Sequence, residues 1–245
     1  MRRVVFVLAL VLAARMARAT PVDLDAFLRS VEQASQPPTA VRADGELTVT
    51  TPDKTTTSQL VLIQRDANDL FLELRQPPLK ALITGAGASA YVLVGTAKDP
   101  KDWPQKDALA DSDFNREDLE PFVLDHYQTP RIVDESPDQV TVALFPKHSQ
   151  YSLLVFTFDR EKKVPLKTMY YEETFSNLVK MRRDSDHVLI GRRWLPTKIT
   201  MEQFALRTQS ALQLSWTQDP PITPELFQPA FLARAPAITW PTPAH

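Results

Sequence analysis

The chain has 245 residues, with no cysteine, 5 glycines, 21 prolines and a formal charge of −2 at pH 7. This length fits one domain built on a single large sheet, because barrels and sandwiches commonly reach this size. The absence of cysteine excludes disulfides and a thiol nucleophile. The slightly acidic balance provides no electrostatic attraction to nucleic acid, so we expect no nucleic-acid partner.

Residues 1–19 have the pattern of a secretory signal peptide, with two arginines at the start, a short apolar run and the small-x-small site Ala17-Arg18-Ala19. The apolar run is too short to cross a bilayer as a helix. Cleavage after Ala19 would remove four of the 28 Lys and Arg residues and none of the 30 Asp and Glu residues. Because the chain has no cysteine to be lipidated, we expect a protein that is soluble in the periplasm of a Gram-negative bacterium rather than anchored to a membrane.

An amphipathic helix is predicted at the start of the mature chain. Leu24, Phe27, Leu28 and Val31 recur at helical spacing behind Asp23, a residue type that caps helix N-termini. Such a helix needs an apolar surface to lie on. It could plug one end of a sheet, or it could help to close a cavity.

Short strands are predicted over the next fifty residues. Runs rich in Val, Leu, Phe and Thr are separated by turn residues every eight to twelve positions, which is typical of an all-β barrel or sandwich. These runs are residues 45–50, 58–65, 70–75, 80–84 and 90–94. The glycine-containing stretch 85–90 leads into a strand and not into a helix, so we interpret it as a turn and not as a phosphate-binding loop.

An acidic string, Asp111-Ser-Asp-Phe-Asn-Arg-Glu-Asp-Leu-Glu120, follows a polar surface loop. Its alternating acids resemble the start of a calcium loop, but the glycine and the final glutamate that such a loop needs are missing. The better interpretation is a short helix whose acidic first turn faces the positive end of the helix dipole. Phe114, Leu119 and Phe122 would then face inward.

Alternation of apolar and polar residues is clearest in the last third of the chain. Ile199 and Met201 alternate with polar neighbours, as do Leu212, Leu214 and Trp216. A period of two with one apolar face indicates antiparallel strands that are wet on one side and covered on the other. What covers the apolar face is therefore the functional question.

Four sequence features, in the same order, resemble the outer-membrane lipoprotein-sorting proteins of the LolA-like family. They are the string 111–119, which is similar to the family's Ser-Asp-Phe-x-x-x-Asp-Leu signature, Tyr170-Tyr171, the stretch 191–202 that begins Gly-Arg-Arg-Trp-Leu-Pro-Thr, and the ending Pro224-Glu-Leu-Phe-Gln-Pro229. The likeness extends from about residue 45 to residue 234. It implies a mainly β fold with a few helices, namely an open, incomplete antiparallel β-barrel of about eleven strands with helices covering the concave face.

The resemblance also implies a function and a division of the chain. We expect a signal peptide at 1–19, a lipoprotein or lipid carrier domain at 20–234, and a Pro-rich, disordered tail at 235–245. The carrier would hold the acyl chains of a lipoprotein or a phospholipid in a hydrophobic cavity and move them towards the outer membrane. Its partners would be an inner-membrane exporter or an outer-membrane acceptor protein, and it would act as a monomer without catalysis, cofactor or metal.

The residues of the cavity and of its lid are predicted from the apolar strand faces and helices. The cavity residues are Leu70, Leu72, Leu74, Phe156, Phe158, Ile199, Met201, Leu212, Leu214 and Trp216, and the lid residues are Phe27, Phe114, Leu119 and Phe122. In the family, an arginine at the end of an early strand holds the lid through helix carbonyls, and the resemblance gives that role to Arg65. Alternatively, Arg65 is an ordinary turn residue that pairs with Asp66 or Asp69.

Two other classes of function stay open. A serine hydrolase with an unrecognised triad would need a histidine bonded to a serine within one cleft, and the four histidines are scattered along the chain. A non-catalytic accessory or interaction module of an envelope exporter system would use the sheet edge or the convex face. The module predicts a core filled by Phe71, Tyr91, Phe156, Phe158 and Trp216, whereas the carrier predicts a void beside them.

Overall fold

The computed structural model describes residues 22–36, 39–66, 68–85, 88–173 and 176–234. The expected signal peptide and the Pro-rich tail lie outside the described residues. A helix, α1 (Leu24–Ser35), precedes thirteen strands, and a single helical turn, α2 (Pro229–Leu232), follows them. None of the helices in these ranges has the length and apolar character needed to span a membrane.

The strands form one antiparallel sheet that is open, with β6 and β7 at its two edges. The predicted mainly β, open architecture is therefore confirmed, with thirteen strands in place of about eleven. Their bounds are β1 (Val41–Thr50), β2 (Thr55–Gln64), β3 (Leu70–Leu74), β4 (Leu79–Thr84), β5 (Ser89–Val94), β6 (Lys101–Asp102), β7 (Tyr127–Glu135), β8 (Gln139–Pro146), β9 (Leu153–Asp159), β10 (Pro165–Glu172), β11 (Asn177–Ile190), β12 (Arg193–Gln203) and β13 (Thr208–Gln218).

The order of the strands places the first and the last strand side by side at the centre of the sheet. All neighbours are consecutive in the chain except β1 and β13, which pair from Val41 opposite Gln218 to Thr50 opposite Gln209. Because β6 and β7 lie at opposite edges, the segment between them has to cross the sheet. This crossing segment, residues 103–126, covers the concave face and contains two short 3₁₀ helices, Arg116–Leu119 and Leu124–His126.

Helix α1 forms as predicted and packs beside the crossing segment. The carboxylate of Asp23 accepts a hydrogen bond of 3.2 Å from the backbone N–H of Ala26, which caps the first turn. Phe27, Leu28 and Val31 are buried against a cluster that includes the β9 residue Phe158. The helix thus covers the β8–β9 part of the concave face.

The acidic string fixes the crossing segment to the sheet through three of its side chains. Asp113 accepts hydrogen bonds from the hydroxyls of Thr208 and Ser210 on β13. Phe114 is fully buried in the main core, and Asp118 accepts a hydrogen bond from Lys180 on β11. The Ser-Asp-Phe-x-x-x-Asp-Leu signature therefore anchors the segment that covers the concave face.

The convex face of the first half of the sheet is also covered, a feature that was not predicted from the sequence. Val61 and Phe71 point away from the concave face and pack with Leu226, Phe227 and Leu232 of the C-terminal segment. Strands β2 to β4 are therefore covered on both sides, because the C-terminal segment folds back over them. On β13 the predicted alternation of buried and exposed residues is confirmed.

Candidate ligand-binding cavity

A cavity of about 200 Å³ lies between α1, the crossing segment and strands β9 to β12. We call it the concave cavity. Its apolar wall combines residues of α1, the crossing segment, β7, β9, the turn before β10, and β12, namely Val31, Ala34, Phe122, Tyr127, Leu154, Phe156, Val164 and Leu195. Phe122 stacks on Tyr127 with ring centroids 5.4 Å apart and meets Phe156 edge to face at 5.8 Å. An aromatic group from the crossing segment thus continues the apolar surface of the sheet.

Charged side chains of β11 interrupt this apolar surface. The Nζ atom of Lys180 lies 2.6 Å from a carboxylate oxygen of Asp118, and both side chains are almost completely buried. The ammonium group also lies over the rings of Tyr151 and Tyr170, at 5.0 and 4.6 Å from their centroids. Two electron-rich ring faces and one carboxylate therefore compensate the cation in this water-poor position.

Arg182 and Asp184, the next two residues on the same face of β11, form a second ion pair. The guanidinium donates to both carboxylate oxygens, at 2.6 and 2.8 Å, and its third nitrogen donates to the backbone oxygen of Asp118 at 2.6 Å. Burial works against the charge of Arg182, but the bidentate pair with Asp184 outweighs it and raises the pKa of the guanidinium. Both pairs hold the crossing segment against the sheet.

One end of the cavity is acidic. Burial raises the pKa of Glu117 and of Glu120 above the ordinary carboxylate value, although Ser149 donates to Glu117 and Arg116 pairs with Glu120 at 2.7 Å. Burial also raises the pKa of the Tyr127 phenol, so this group is neutral at physiological pH. The carboxylates at the acidic end therefore already have partners among the residues beside them.

The opposite end of the cavity contains basic groups. Lys163, His187 and Arg193 all line it, together with Trp194. The guanidinium of Arg193 donates to the side-chain oxygen of Gln64 at 2.7 Å, and burial lowers its pKa to about 10. Burial also lowers the pKa of Lys163 and that of His187. We call these three residues the basic end.

The structure brings two of the predicted site residues, Phe156 and Phe122, to the wall of the cavity. Phe158 lies beneath α1, where it meets Phe27 edge to face at 5.9 Å. Trp216 packs at the edge of the main core and donates its indole N–H to the backbone oxygen of Pro196, a cavity residue. The other predicted cavity residues belong to the packed main core beside the cavity; they are Leu70, Leu72, Leu74, Ile199, Met201, Leu212 and Leu214.

The predicted lid residues do not lie together. Phe114 is within the main core, and Leu119 packs against it. Arg65 lies in the turn between β2 and β3, where it pairs with Asp69 and Asp66 and lies 4.6 Å from the ring centroid of Phe227. These are the turn contacts that the sequence also allowed, and the lid role of Arg65 stays a prediction.

The charged residues of β11 were not predicted from the sequence. Lys180, Arg182 and Asp184 alternate with Met181 and Arg183, so the pattern of a strand was visible. Charges at every second position are typical of a face in water, and here that face is turned inward. The acidic string could have indicated these inward charges, because a buried cation needs an acidic partner and Asp118 supplies one.

The cavity wall can bind an amphiphile, because it combines an apolar surface with polar groups at both ends. Its volume is below the roughly 300–1,000 Å³ of typical small-molecule sites, so a large ligand requires α1 or the crossing segment to move. Among the described residues, no group of three or more His, Cys, Asp or Glu side chains is arranged to hold a metal ion.

Comparison with known proteins identifies a family and a fold for this chain. A family model described as "-like: Uncharacterized protein" matches residues 84–234. The chain belongs to this family. No curated protein matches the sequence.

Three solved structures are similar over most of their length. A domain of an outer-membrane lipoprotein-sorting protein from Vibrio parahaemolyticus and a DUF1329 family protein from Desulfovibrio piger are each 16% identical, with TM-scores of 0.75. Each match covers 84% of this chain, and 97% and 96% of the respective relative. A LolA superfamily protein from Nitrosomonas europaea is 15% identical, with a TM-score of 0.67, covering 85% of this chain and 98% of its own. The protein has a LolA-like fold. The resemblance in the sequence is therefore confirmed at the level of the fold, and the concave cavity lies within a LolA-like fold.

Proposed function

We propose that this protein is a periplasmic carrier that binds the acyl chains of a lipoprotein or a lipid in the concave cavity. It would receive its cargo from an inner-membrane exporter and move it towards an outer-membrane acceptor. The observation that supports this function is the void with an apolar wall, beside Phe156, between α1 and the sheet of a LolA-like fold. Ligand binding in such a cavity needs no catalytic group.

Burial of methylene groups supplies the binding energy for this function. Each methylene that leaves water contributes roughly 0.8 kcal/mol, so a single acyl chain gains several kcal/mol even when only part of it is covered. A cavity of about 200 Å³ does not enclose several chains, so α1 has to move away from β8 and β9 to admit them. The buried residues Phe27, Leu28 and Val31 of α1 would then exchange their contacts with the sheet for contacts with the cargo.

Filling the cavity is the direct test. Ala34 lines the cavity from α1, whereas Ala26 is exposed on the same helix. We expect Ala34→Phe to weaken the binding of a fluorescent acyl probe by about tenfold or more, because the new ring occupies space that two or more methylenes would fill. Ala26→Phe adds the same group to the surface and should leave binding unchanged. Probe titration of both purified variants and of the wild type measures the effect.

The natural cargo is identified separately, by native mass spectrometry of the protein purified from its own envelope fraction, followed by solvent extraction. Acylated peptide or phospholipid that is present in the wild type and reduced in Ala34→Phe supports a carrier. Protein that is always empty and takes up no acyl probe contradicts the proposal. That result would favour the accessory module, which uses an outer surface of the sheet.

A further inference from the structure

The charges that line the concave cavity do not balance at its basic end. Asp118 pairs with Lys180, Asp184 with Arg182, and Glu120 with Arg116. Within the described residues, neither Arg193 nor Lys163 forms an ion pair with a carboxylate. Two cations therefore line a partly enclosed apolar space without a carboxylate in direct contact, although Asp159 lies near Lys163, and an anion would stabilise this arrangement.

Arg193 is positioned to bind such an anion. It is the first residue of β12, and one of its terminal nitrogens donates to Gln64, the last residue of β2. Gln64 is itself buried, so this hydrogen bond fixes the guanidinium across the end of the central strands. The remaining N–H groups of the guanidinium are available to a ligand, and a planar fork of donors suits a carboxylate or phosphate group.

Lys163 and His187 supply further donors to the same end. Lys163 donates to the backbone oxygen of Arg160 and lies 4.6 Å from the ring centroid of Phe27, which leaves other N–H positions of its ammonium group to a ligand. The Nε2 atom of His187 is buried and has no hydrogen-bond partner among the described residues. A buried ring nitrogen without a partner is uncommon in proteins, and a ligand at this end would provide one.

The acidic groups around His187 already have other partners. Asp184 holds both of its oxygens against Arg182. Asp159 accepts hydrogen bonds from the backbone N–H groups of Glu161 and Lys162. Asp186 accepts a hydrogen bond from the hydroxyl of Ser185 and is exposed. None of these carboxylates forms an ion pair with Arg193 or Lys163 in the described part of the chain.

We propose that Arg193, Lys163 and His187 form a headgroup site that binds the carboxylate or phosphate of an anionic amphiphile whose acyl chain lies along the apolar wall of the concave cavity. The inference rests on the proposed carrier function and specifies its cargo. The site would select anionic lipids over neutral ones, because neither cation forms an ion pair with a carboxylate of the described residues. The wall residues Phe156, Leu154 and Phe122 would contact the first methylenes of the chain.

A matched pair of probes tests the headgroup site. Dansyl-undecanoate and its methyl ester carry the same chain, and the ester has one methyl group in place of the negative charge. We expect the wild type to bind the carboxylate more tightly, and Arg193→Gln to weaken carboxylate binding by about tenfold to a hundredfold while leaving ester binding unchanged. Arg192→Gln is the control, because Arg192 is the exposed neighbour in the turn before β12 and its loss changes the net charge equally.

A second variant protects the test against a folding defect. If Arg193→Gln melts at a much lower temperature than the wild type, Lys163→Gln is measured instead, and the same loss of preference for the carboxylate is expected to a smaller degree. Competition by laurate, dodecyl phosphate and dodecanol then ranks a fatty-acid carboxylate against a phospholipid-type phosphate. Dodecanol should compete least.

The outcomes separate the two proposals. Equal binding of both probes by the wild type, unchanged in Arg193→Gln and in Lys163→Gln, would overturn the headgroup site and leave the acyl cavity standing. Failure of the wild type to bind either probe would overturn the carrier function and the headgroup site with it. Competition by inorganic phosphate as strong as that by dodecyl phosphate would show a free-anion site and overturn the assignment to an amphiphile.

Discussion

Asp118 and Lys180 place a charged pair in the middle of an otherwise apolar face. Removing two charges from water costs several kcal/mol each, and close contact returns part of that cost only when the geometry is good. Here the ion pair of 2.6 Å and the two tyrosine rings compensate the ammonium group, and the backbone N–H of Asn115 donates to the carboxylate at 2.7 Å. The pair therefore fixes where the crossing segment lies on the sheet.

Breaking this pair should destabilise the protein strongly. We expect Lys180→Met to lower the free energy of unfolding by about 3–5 kcal/mol, because it leaves a buried carboxylate without a cation. The double variant with Asp118→Asn should lose less free energy of unfolding than the sum of the losses of the two single variants. Urea unfolding of the four proteins measures the coupling.

Arg183 provides the control on the same strand. It pairs with Glu202 at 2.6 Å but points outward into solvent. An exposed pair contributes about 0–1 kcal/mol, so Arg183→Met should have little effect. Equal losses of the free energy of unfolding in Lys180→Met and Arg183→Met would contradict the structural role of the buried pair.

At the scale of elements, the sequence predicts what depends on local periodicity and capping. Helix α1, its Asp23 cap and the alternation of β13 follow from neighbouring residues alone. The inward charges of β11 and the cover of β2 to β4 by the C-terminal segment depend on contacts between residues distant in the chain. The basic end was missed for the same reason, since Lys163, His187 and Arg193 come from separate turns and strands.

Gly45 shows how closely two central strands approach each other. It lies in β1 between β2 and β13, and a Cβ atom added there would come within 2.0 Å of the backbone oxygen of Gln213. Real Cβ atoms do not approach a backbone oxygen so closely, and the oxygen belongs to the paired strand rather than to a flexible side chain. A glycine is therefore required at this position by the pairing of β1 with β13.

Gly45→Ala should weaken the centre of the sheet. We expect the free energy of unfolding to fall by about 1–3 kcal/mol, because the strands must separate locally to admit one methyl group. Thermal or urea unfolding measures the loss, and Glu46→Ala, an exposed change at the next position, is the control. A Gly45→Ala protein as stable as Glu46→Ala would show that the strands adjust without cost.

For the molecule as a whole, carriage of a lipid requires the cover of the cavity to open while the sheet stays intact. The cover is tied together internally, since the carboxylate of Glu32 on α1 accepts a hydrogen bond of 3.0 Å from the backbone N–H of Leu124 in the crossing segment. The crossing segment is in turn bound to β11 and β13 through Asp118 and Asp113. Opening should therefore involve α1 and the end of the crossing segment more than its middle.

Hydrogen exchange can detect this opening. We expect the amides of α1 and of residues 122–126 to exchange faster than those of β1, β12 and β13, because local opening needs less free energy than global unfolding. A saturating acyl ligand should slow the exchange of α1 and leave the exchange of the exposed residues 131–134 of the edge strand β7 unchanged. If α1 exchanged as slowly as β13 with and without ligand, movement of α1 would not be the way into the cavity.

The pairing of β1 with β13 has a consequence for how the chain folds. Strands β1 to β6 and β7 to β13 can each form from neighbouring segments, but the contact that joins the two halves links residues more than 150 positions apart, such as Val41 and Gln218. Contacts of such long range form slowly, because a large loop has to be closed. Until β13 has been synthesised, β1 stays an unpaired strand edge, and such edges pair readily with other chains. The incomplete chain therefore presents one edge of β1 to its surroundings until its last strand arrives.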